Sequence, residues 1–407
     1  MKVYQSYRDS KLEWIGEIPS SWDTNKVKYL FKEKKSVRNT NLNSGSISFG
    51  KVVYKDDEKI PKSTKESYQE VLNGEFLINP LNLNFDLKSL RISKSEINVV
   101  VSQGYIVLNI IEIQYSDYFT YLLREFDVKH MKSLGQGVRQ TISFNHISNE
   151  ILLIPPVTEQ NQISKFLDTK TQKIDELIEK TEQKIKLLKE KRTSLINHCV
   201  TKGLNPNVEM KDSGVEWIGE IPIHYDIVRL KFLCSVKTGS RDTQDKVEDG
   251  DYPFYVRSPN IERINSYSFD GESVLTVGDG VGTGKVFHYV NGKFEFHQRV
   301  YKFSDFKRIT GKFFYWFMKH HFIFVTEDQN SKSTVDSLRR PLINGFQFVI
   351  PSIEEQTQIV EYLDEQTQKI DSTIEKETQR IELLKEYRQS LISEVVTGKV
   401  DVRDWKE

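Results

Sequence analysis

The sequence predicts an α+β fold in which two mixed α/β domains are separated by two long helices, the product of an internal duplication. Three observations carry this prediction. A stretch from Ile154 to Thr201 recurs from Ile350 to Thr397, with 28 of 48 positions identical and no gap. A shorter motif around Trp14-Ile15-Gly16 recurs at Trp217-Ile218-Gly219. The intervening modules, Ser20 to Leu153 and Ile223 to Val349, share little sequence but present corresponding elements in the same order. Self-similarity on this scale governs the architecture and is read before local motifs. The implied boundaries are 1–153, 154–204, 205–349 and 350–407.

Each long repeat has the chemistry of a single helix. The Ile-Pro pairs at Ile154-Pro155 and Ile350-Pro351 prevent a helix from continuing backwards, because the residue before proline is pushed out of the α region. Thr158 is the expected N-cap, and Glu159 and Glu355 favour the first turn. No glycine or proline follows until Gly203 and Gly398, so nothing breaks a rod of roughly 60 Å at ~1.5 Å per residue. Apolar residues keep a heptad. Leu167, Ile174, Leu188 and Leu195 share one position, with Ile178 and Ile185 at its partner. The second repeat places Leu363, Ile370, Leu384 and Leu391 with Ile374 and Ile381. The polar interruptions coincide too: Thr181 with Glu377, and Arg192 with Arg388. A seam of period 3.5 buries itself against another helix. The two repeats are each other's best-matched surface and are expected to form a coiled coil, with parallel and antiparallel pairing both sterically open.

Asp9 to Pro19 is answered by Asp212 to Pro222, and its Trp-Ile-Gly and Ile-Pro steps read as a packed turn leading into a strand. Both tryptophans are expected as buried anchors rather than binding residues. Within the modules, Ile47–Val53, Phe76–Ile78, Val99–Ile113 and Ser273–Val277 read as strands. Tyr118–Leu123 and Phe313–Met318 read as short aromatic helices. Each module closes with a polar loop, a short helix and a strand running into Ile-Pro.

The 407 residues carry 58 basic and 58 acidic side chains, so the net charge is about zero. A free-standing nucleic-acid binder is usually basic. This balance implies either another ligand, or local basic faces assisted by a basic partner. Two cysteines without metal-like spacing point to a reducing cytosol. No apolar leader core or membrane span is legible, and a cytoplasmic protein is expected.

Searches for catalytic chemistry fail. In Gly278-Asp279-Gly280-Val281-Gly282-Thr283-Gly284-Lys285-Val286, a phosphate loop would need glycine at Asp279 and Ser or Thr at Val286. A dinucleotide fingerprint would need glycine at Thr283 or Lys285. A tight turn between strands is the better reading. Asn79-Pro80-Leu81-Asn82 fails as a methyltransferase tetrapeptide. The eight histidines form no ligand grouping, and His320-His321 reads as structural. A non-catalytic binding protein is expected, with no metal or cofactor of its own. The remaining candidates are polar and basic loop residues suited to base edges and phosphates. They are Lys51, Tyr54, Arg91, Gln136, Arg139 and Gln140 in the first module. The second supplies Arg257, Ser258, Asn260, Lys285, Gln298, Arg299, Lys332 and Arg339.

The arrangement resembles the specificity subunit of type I restriction–modification systems. The residues that carry the resemblance are Trp14-Ile15-Gly16-Glu17-Ile18-Pro19 and its copy at Trp217, and Ile154-Pro155-Pro156 through Glu159-Gln160 and Ile163 with its copy at Ile350. The tails Leu187-Leu188-Lys189-Glu190 and Leu383-Leu384-Lys385-Glu386 belong to the same pattern. Tyr225 stands where the first copy has Trp22, a minor departure. The resemblance spans the whole chain. It implies that each module is a target-recognition domain reading half of a bipartite, asymmetric sequence in double-stranded DNA. It also implies an antiparallel coiled coil that sets the gap and docks two modification subunits, with restriction subunits added to that core. S-adenosylmethionine, ATP and Mg would sit on those partners. The competing readings are the recognition region of a fused restriction–methylation enzyme, which would require a catalytic domain that is not encoded here, and a non-catalytic coiled-coil scaffold.

Overall fold

A computed structural model describes residues 2–48, 50–81, 90–111, 116–131, 134, 142–280, 282–330 and 338–406, with only the backbone at 116 and 324–330. Four helices organise it: α1 (Ser116–Lys129), α2 (Val157–Lys202), α3 (Gly311–Asn330) and α4 (Ile353–Val396). The chain divides into two compact units, Met1–Thr181 with Arg380–Glu407, and Glu182–Gln379. Each unit takes one module together with part of both long helices.

In the first unit, a four-stranded antiparallel sheet runs in the order Phe31–Glu33, Ile106–Ile110, Phe76–Ile78, Ile92–Lys94. Its strands are too short to be stable alone and are held by aromatic packing. Phe31 meets Phe76 edge-on at 5.4 Å and Phe119 of α1 at 5.3 Å, geometry the ring quadrupole favours. Strand Ile151–Ile154 pairs antiparallel with Asp23–Lys26 and delivers the chain into α2. The expected strand over Ile47–Val53 is instead a hairpin, Gly45–Ser48 against Lys51–Tyr54. Likewise Val99–Ile113 is two strands, Val99–Val101 and Ile106–Ile110, because Ser102 and Tyr105 close a turn between them; Glu112 and Ile113 lie outside the described residues.

The second unit carries a six-stranded mixed sheet in the order Ser235–Thr238, Val300–Ser304, Phe269–Val277, Phe287–Phe296, Tyr252–Tyr255, Ile261–Ile264. Only the Phe287–Phe296 and Tyr252–Tyr255 pair is parallel. Here α3 packs its aromatic face on strand Gln347–Ile350, with Phe314 and Phe317 stacked on Phe348 at 4.8 and 4.7 Å.

Each unit repeats the same helix entry. Trp22 Nε1 donates to Glu159 at 2.9 Å and the Tyr4 hydroxyl donates to the same oxygen. In the other unit the Tyr225 hydroxyl and His224 Nε2 reach Glu355 at 3.4 and 3.1 Å. Tyr225 therefore takes over Trp22's role as donor to the first turn. Gln160 and Gln356 each bind back to a proline carbonyl, Pro155 and Pro351, at 2.8 and 3.1 Å. Helix α2 begins at Val157, so Thr158 lies inside it and is not the N-cap; Glu159 acts as the tether instead. Trp14 stacks on His130 and Trp217 on Phe346; both anchor the core from its edge and are half-buried rather than buried as expected.

Within each unit the long helices lie side by side. In the first, Arg388 makes a paired contact with Asp175 at 2.9 and 3.2 Å. In the second, Arg192 does so with Asp371 at 2.8 and 3.1 Å. There Lys184 also meets Glu377 at 2.5 Å, so partner numbers fall on α4 as they rise on α2 and the direction is antiparallel. Of the twelve seam residues, Leu167, Ile174, Leu363, Ile370, Ile381 and Leu391 are buried; Ile178, Ile185, Leu188, Leu195, Ile374 and Leu384 are half-buried.

His321 on α3 is buried among Trp217, Phe317 and His320 and bonds Asn197 of α2 at 2.7 Å. Burial pushes its pKa down to about 3, with His320 adding to the effect. The folded state therefore resists protonation that the unfolded chain accepts. His321 contributes its full stability above pH ~6.5, and that contribution falls as pH drops toward 3, by at most ~1.4 kcal/mol per pH unit. Urea titrations at pH 7.5 and 5 should show a smaller loss in His321→Gln than in the unsubstituted protein. Equal losses would refute the assignment.

Candidate nucleic-acid interface

One end of the six-stranded sheet gathers most of the candidates in the second unit. Strand Tyr252–Tyr255 runs out into Arg257, Ser258 and Asn260. Strand Phe269–Val277 ends at Gly278-Asp279-Gly280. The turn at His297–Arg299 leads into strand Val300–Ser304. Arg257 and Ser258 from the first of these segments and Asp279 and Gly280 from the second line an open cleft of about 470 Å³, together with Thr243 and Glu262.

Asp279 organises the cleft. Its Oδ2 accepts from Arg299 Nη1 at 2.5 Å, and its Oδ1 faces Arg257 Nη1 at 3.6 Å. Asp242 accepts from Gln298 Nε2 at 2.7 Å and lies 3.8 Å from His297 Nε2. Burial lowers the pKa of His297, which Asp242 partly opposes. A hydrogen bond from the Thr243 backbone, its largest cause, lowers that of Asp242. Ser258 caps its own loop, accepting from the Asn260 amide at 3.2 Å and donating to the Asn260 carbonyl at 3.1 Å. Arg339 follows Leu338, whose amide bonds the Gly278 carbonyl at 2.8 Å, so its exposed side chain starts beside the same strand end. Lys285 is exposed on the glycine-rich turn.

That turn is what sequence reasoning favoured, a connection between the strands ending at Val277 and starting at Phe287; Val281 lies outside the described residues. Two glycines have definite causes. A Cβ at Gly278 would sit 2.9 Å from the Arg299 carbonyl oxygen, and Gly280 has φ of +82°, a region L-residues rarely adopt.

In the first unit, Lys51 and Tyr54 are exposed on the hairpin, whose turn is pinned by Arg124 Nη2 donating to the Gly50 carbonyl at 3.1 Å. Arg91 departs from expectation. It is 4% exposed and paired to Asp127 at 3.1 Å. A guanidinium committed to a fully buried carboxylate presents nothing to a groove, so Arg91 is a core residue. Gln136, Arg139, Gln140 and Lys332 lie outside the described residues. Sequence reasoning missed Asp279, Asp242 and Arg124. The Gly-Asp-Gly run was a signal for Asp279, but phosphate-loop and dinucleotide spacings concern its glycines and say nothing of the carboxylate.

Cys199 and Cys234 are free, with thiol pKa values pushed up by burial to about 11 and about 12. Among the described residues, no His, Cys, Asp and Glu group could hold a metal, and no helix is long and apolar enough to cross a membrane.

A family profile described as the type I restriction modification DNA specificity domain matches residues 15–187 and 222–385. The EcoDI type I restriction enzyme specificity subunit of Escherichia coli is 30% identical over 188 residues, covering 46% of this chain. The match spans only 41% of that relative's length. The MjaVIII specificity subunit of Methanocaldococcus jannaschii is 22% identical over 312 residues, 69% of this chain and 70% of that one. Two solved structures share the fold at 14% identity. A chain from a structure described as showing complex assembly and conformational transition of the type I R-M system superposes with a TM-score of 0.71 over 94% of this chain and 99% of its own length. The HsdS subunit from Thermoanaerobacter tengcongensis gives 0.54 over 96% and 100%. With the profile matched in both halves, through each module and into each long helix, this chain belongs to the type I restriction–modification DNA specificity family.

Proposed function

We propose that the chain is the DNA-reading subunit of a type I restriction–modification complex, each module recognising one half of a bipartite, asymmetric duplex sequence. The observation that carries this reading is a contrast. The helix entries and cross-helix ion pairs repeat from one unit to the other, while the modules they carry differ, with a four-stranded antiparallel sheet in one and a six-stranded mixed sheet in the other. Repetition suits a common frame and common partners; divergence suits two different half-sites. The two long helices act as an antiparallel coiled coil, the repeated frame of a pseudo-two-fold duplication. They set the gap between half-sites and dock two modification subunits, to which restriction subunits are added. Catalysis, and with it S-adenosylmethionine, ATP and Mg, belongs to those partners.

Base-resolved methylation mapping of host DNA, after co-expression with the modification subunit, tests the proposal. A new bipartite, asymmetric methylated motif is the expected result. A complex that assembles without creating any motif would point to the scaffold reading. Arg257→Ala should weaken recognition of one half-site by ~1–3 kcal/mol, measured by competition between cognate duplexes and duplexes altered in a single half-site. Equal weakening on every duplex would make Arg257 a phosphate contact.

A further inference from the structure

The best-formed feature of the cleft is a carboxylate, which is unexpected on a surface meant to meet a polyanion. We propose that Asp279 is a positioning residue for DNA specificity, holding Arg257 and Arg299 in the orientation that reads one half-site and lowering the cleft's affinity for DNA in general. The inference rests on the DNA-reading function proposed above.

Three observations support it. Asp279 is placed rigidly. Gly278 receives Leu338's amide on its carbonyl and donates its own amide to the Arg299 carbonyl, both at 2.8 Å, so the strand end carrying Asp279 is tied to the turn carrying Arg299. Second, the carboxylate serves two guanidiniums, Arg299 at 2.5 Å and Arg257 at 3.6 Å. Its Oδ1 is buried without a hydrogen bond, so this oxygen is shielded from an incoming base and acts on DNA only through the arginines. Third, both arginine side chains stay about half exposed, so each keeps surface that an incoming base can reach.

The consequence is electrostatic as well as geometric. Two arginines and one aspartate present a net charge of one rather than two. Non-specific binding follows the number of phosphates neutralised. Specific reading depends instead on bidentate donor geometry. An anion set between the arginines therefore restrains the first and supports the second. A second carboxylate, Asp242, fixes Gln298 beside Arg299 by accepting from its Nε2 at 2.7 Å.

The test uses the full chain in complex with its modification subunit. Duplexes carry the motif found by methylation mapping, that motif altered in either half-site, or neither half-site. In Asp279→Asn, binding to non-cognate duplex should tighten about 3- to 10-fold, with the salt slope steeper by about one. Discrimination at one half-site should fall at least about 10-fold while the other is unchanged. Asp279→Glu should restore part of the discrimination, because it keeps the charge. An Asp279→Asn complex that matches the original in slope and discrimination overturns the proposal. So does one that loses affinity uniformly on all duplexes, which would mark Asp279 as merely structural. If the unsubstituted complex creates no motif, the underlying function fails as well.

Discussion

Asp127→Ala should destabilise the first unit by about 3–5 kcal/mol, among the largest losses expected of any single side chain. Asp127 is fully buried on α1. It accepts from the backbone amide of Arg91 and from Arg91 Nε at 3.1 Å, and Arg91 itself is 4% exposed. Removing the carboxylate leaves a guanidinium without its counter-charge in a low-dielectric interior, where the desolvation cost is no longer offset. The pair as a whole need not be strongly stabilising. Replacing both partners with apolar side chains of similar volume, Arg91→Met with Asp127→Leu, should recover most of the loss. Denaturant unfolding of the two variants separates these effects. A loss below about 1 kcal/mol for Asp127→Ala would mean that water reaches Arg91 and that the site is not the closed pair described.

Seven residues inserted in heptad register into both long helices, after Thr181 and after Gln379, should lengthen the gap in the recognised DNA. Each half-site should stay as it was. Seven residues add ~10.5 Å of helix, which corresponds to about 3 base pairs at 3.4 Å each. Both helices must be extended, because antiparallel partners stay in register only if the seam grows equally on both sides; the Arg388–Asp175 and Arg192–Asp371 pairs would then survive in their own units. Methylation mapping reads the outcome directly. An unchanged gap would remove the spacer role from these helices, and a change in a half-site sequence would show that the modules are not independent readers.

Much of this was legible from the chain alone, and the reason is locality. The two rods follow from period 3.5, from proline at their starts and from glycine beyond their ends. The short helix and strand before each Ile-Pro, and the correspondence of Trp22 with Tyr225, come from repetition within one sequence. Other features stayed illegible because they join residues far apart. The hairpin at Gly45–Tyr54 looks like a single strand when only β-propensity is considered. Arg91 reads as a loop reader until Asp127, 36 residues away, closes on it.

By itself, then, the sequence determined the duplication, the long amphipathic helices, the tryptophans as packing anchors and the divergence of the modules. Each is written in spacing or self-similarity, which the chain carries without folding. Tertiary structure alone decided the direction in which the helices pair, because an apolar seam of period 3.5 is satisfied in either direction. In the second unit the order of the Lys184–Glu377 and Arg192–Asp371 pairs settles that choice. Tertiary structure also decided which charges face outward and which are consumed. Arg91 and Arg257 are alike as residues, and only the burial and partner of each separate a core ion pair from a side chain open to a groove.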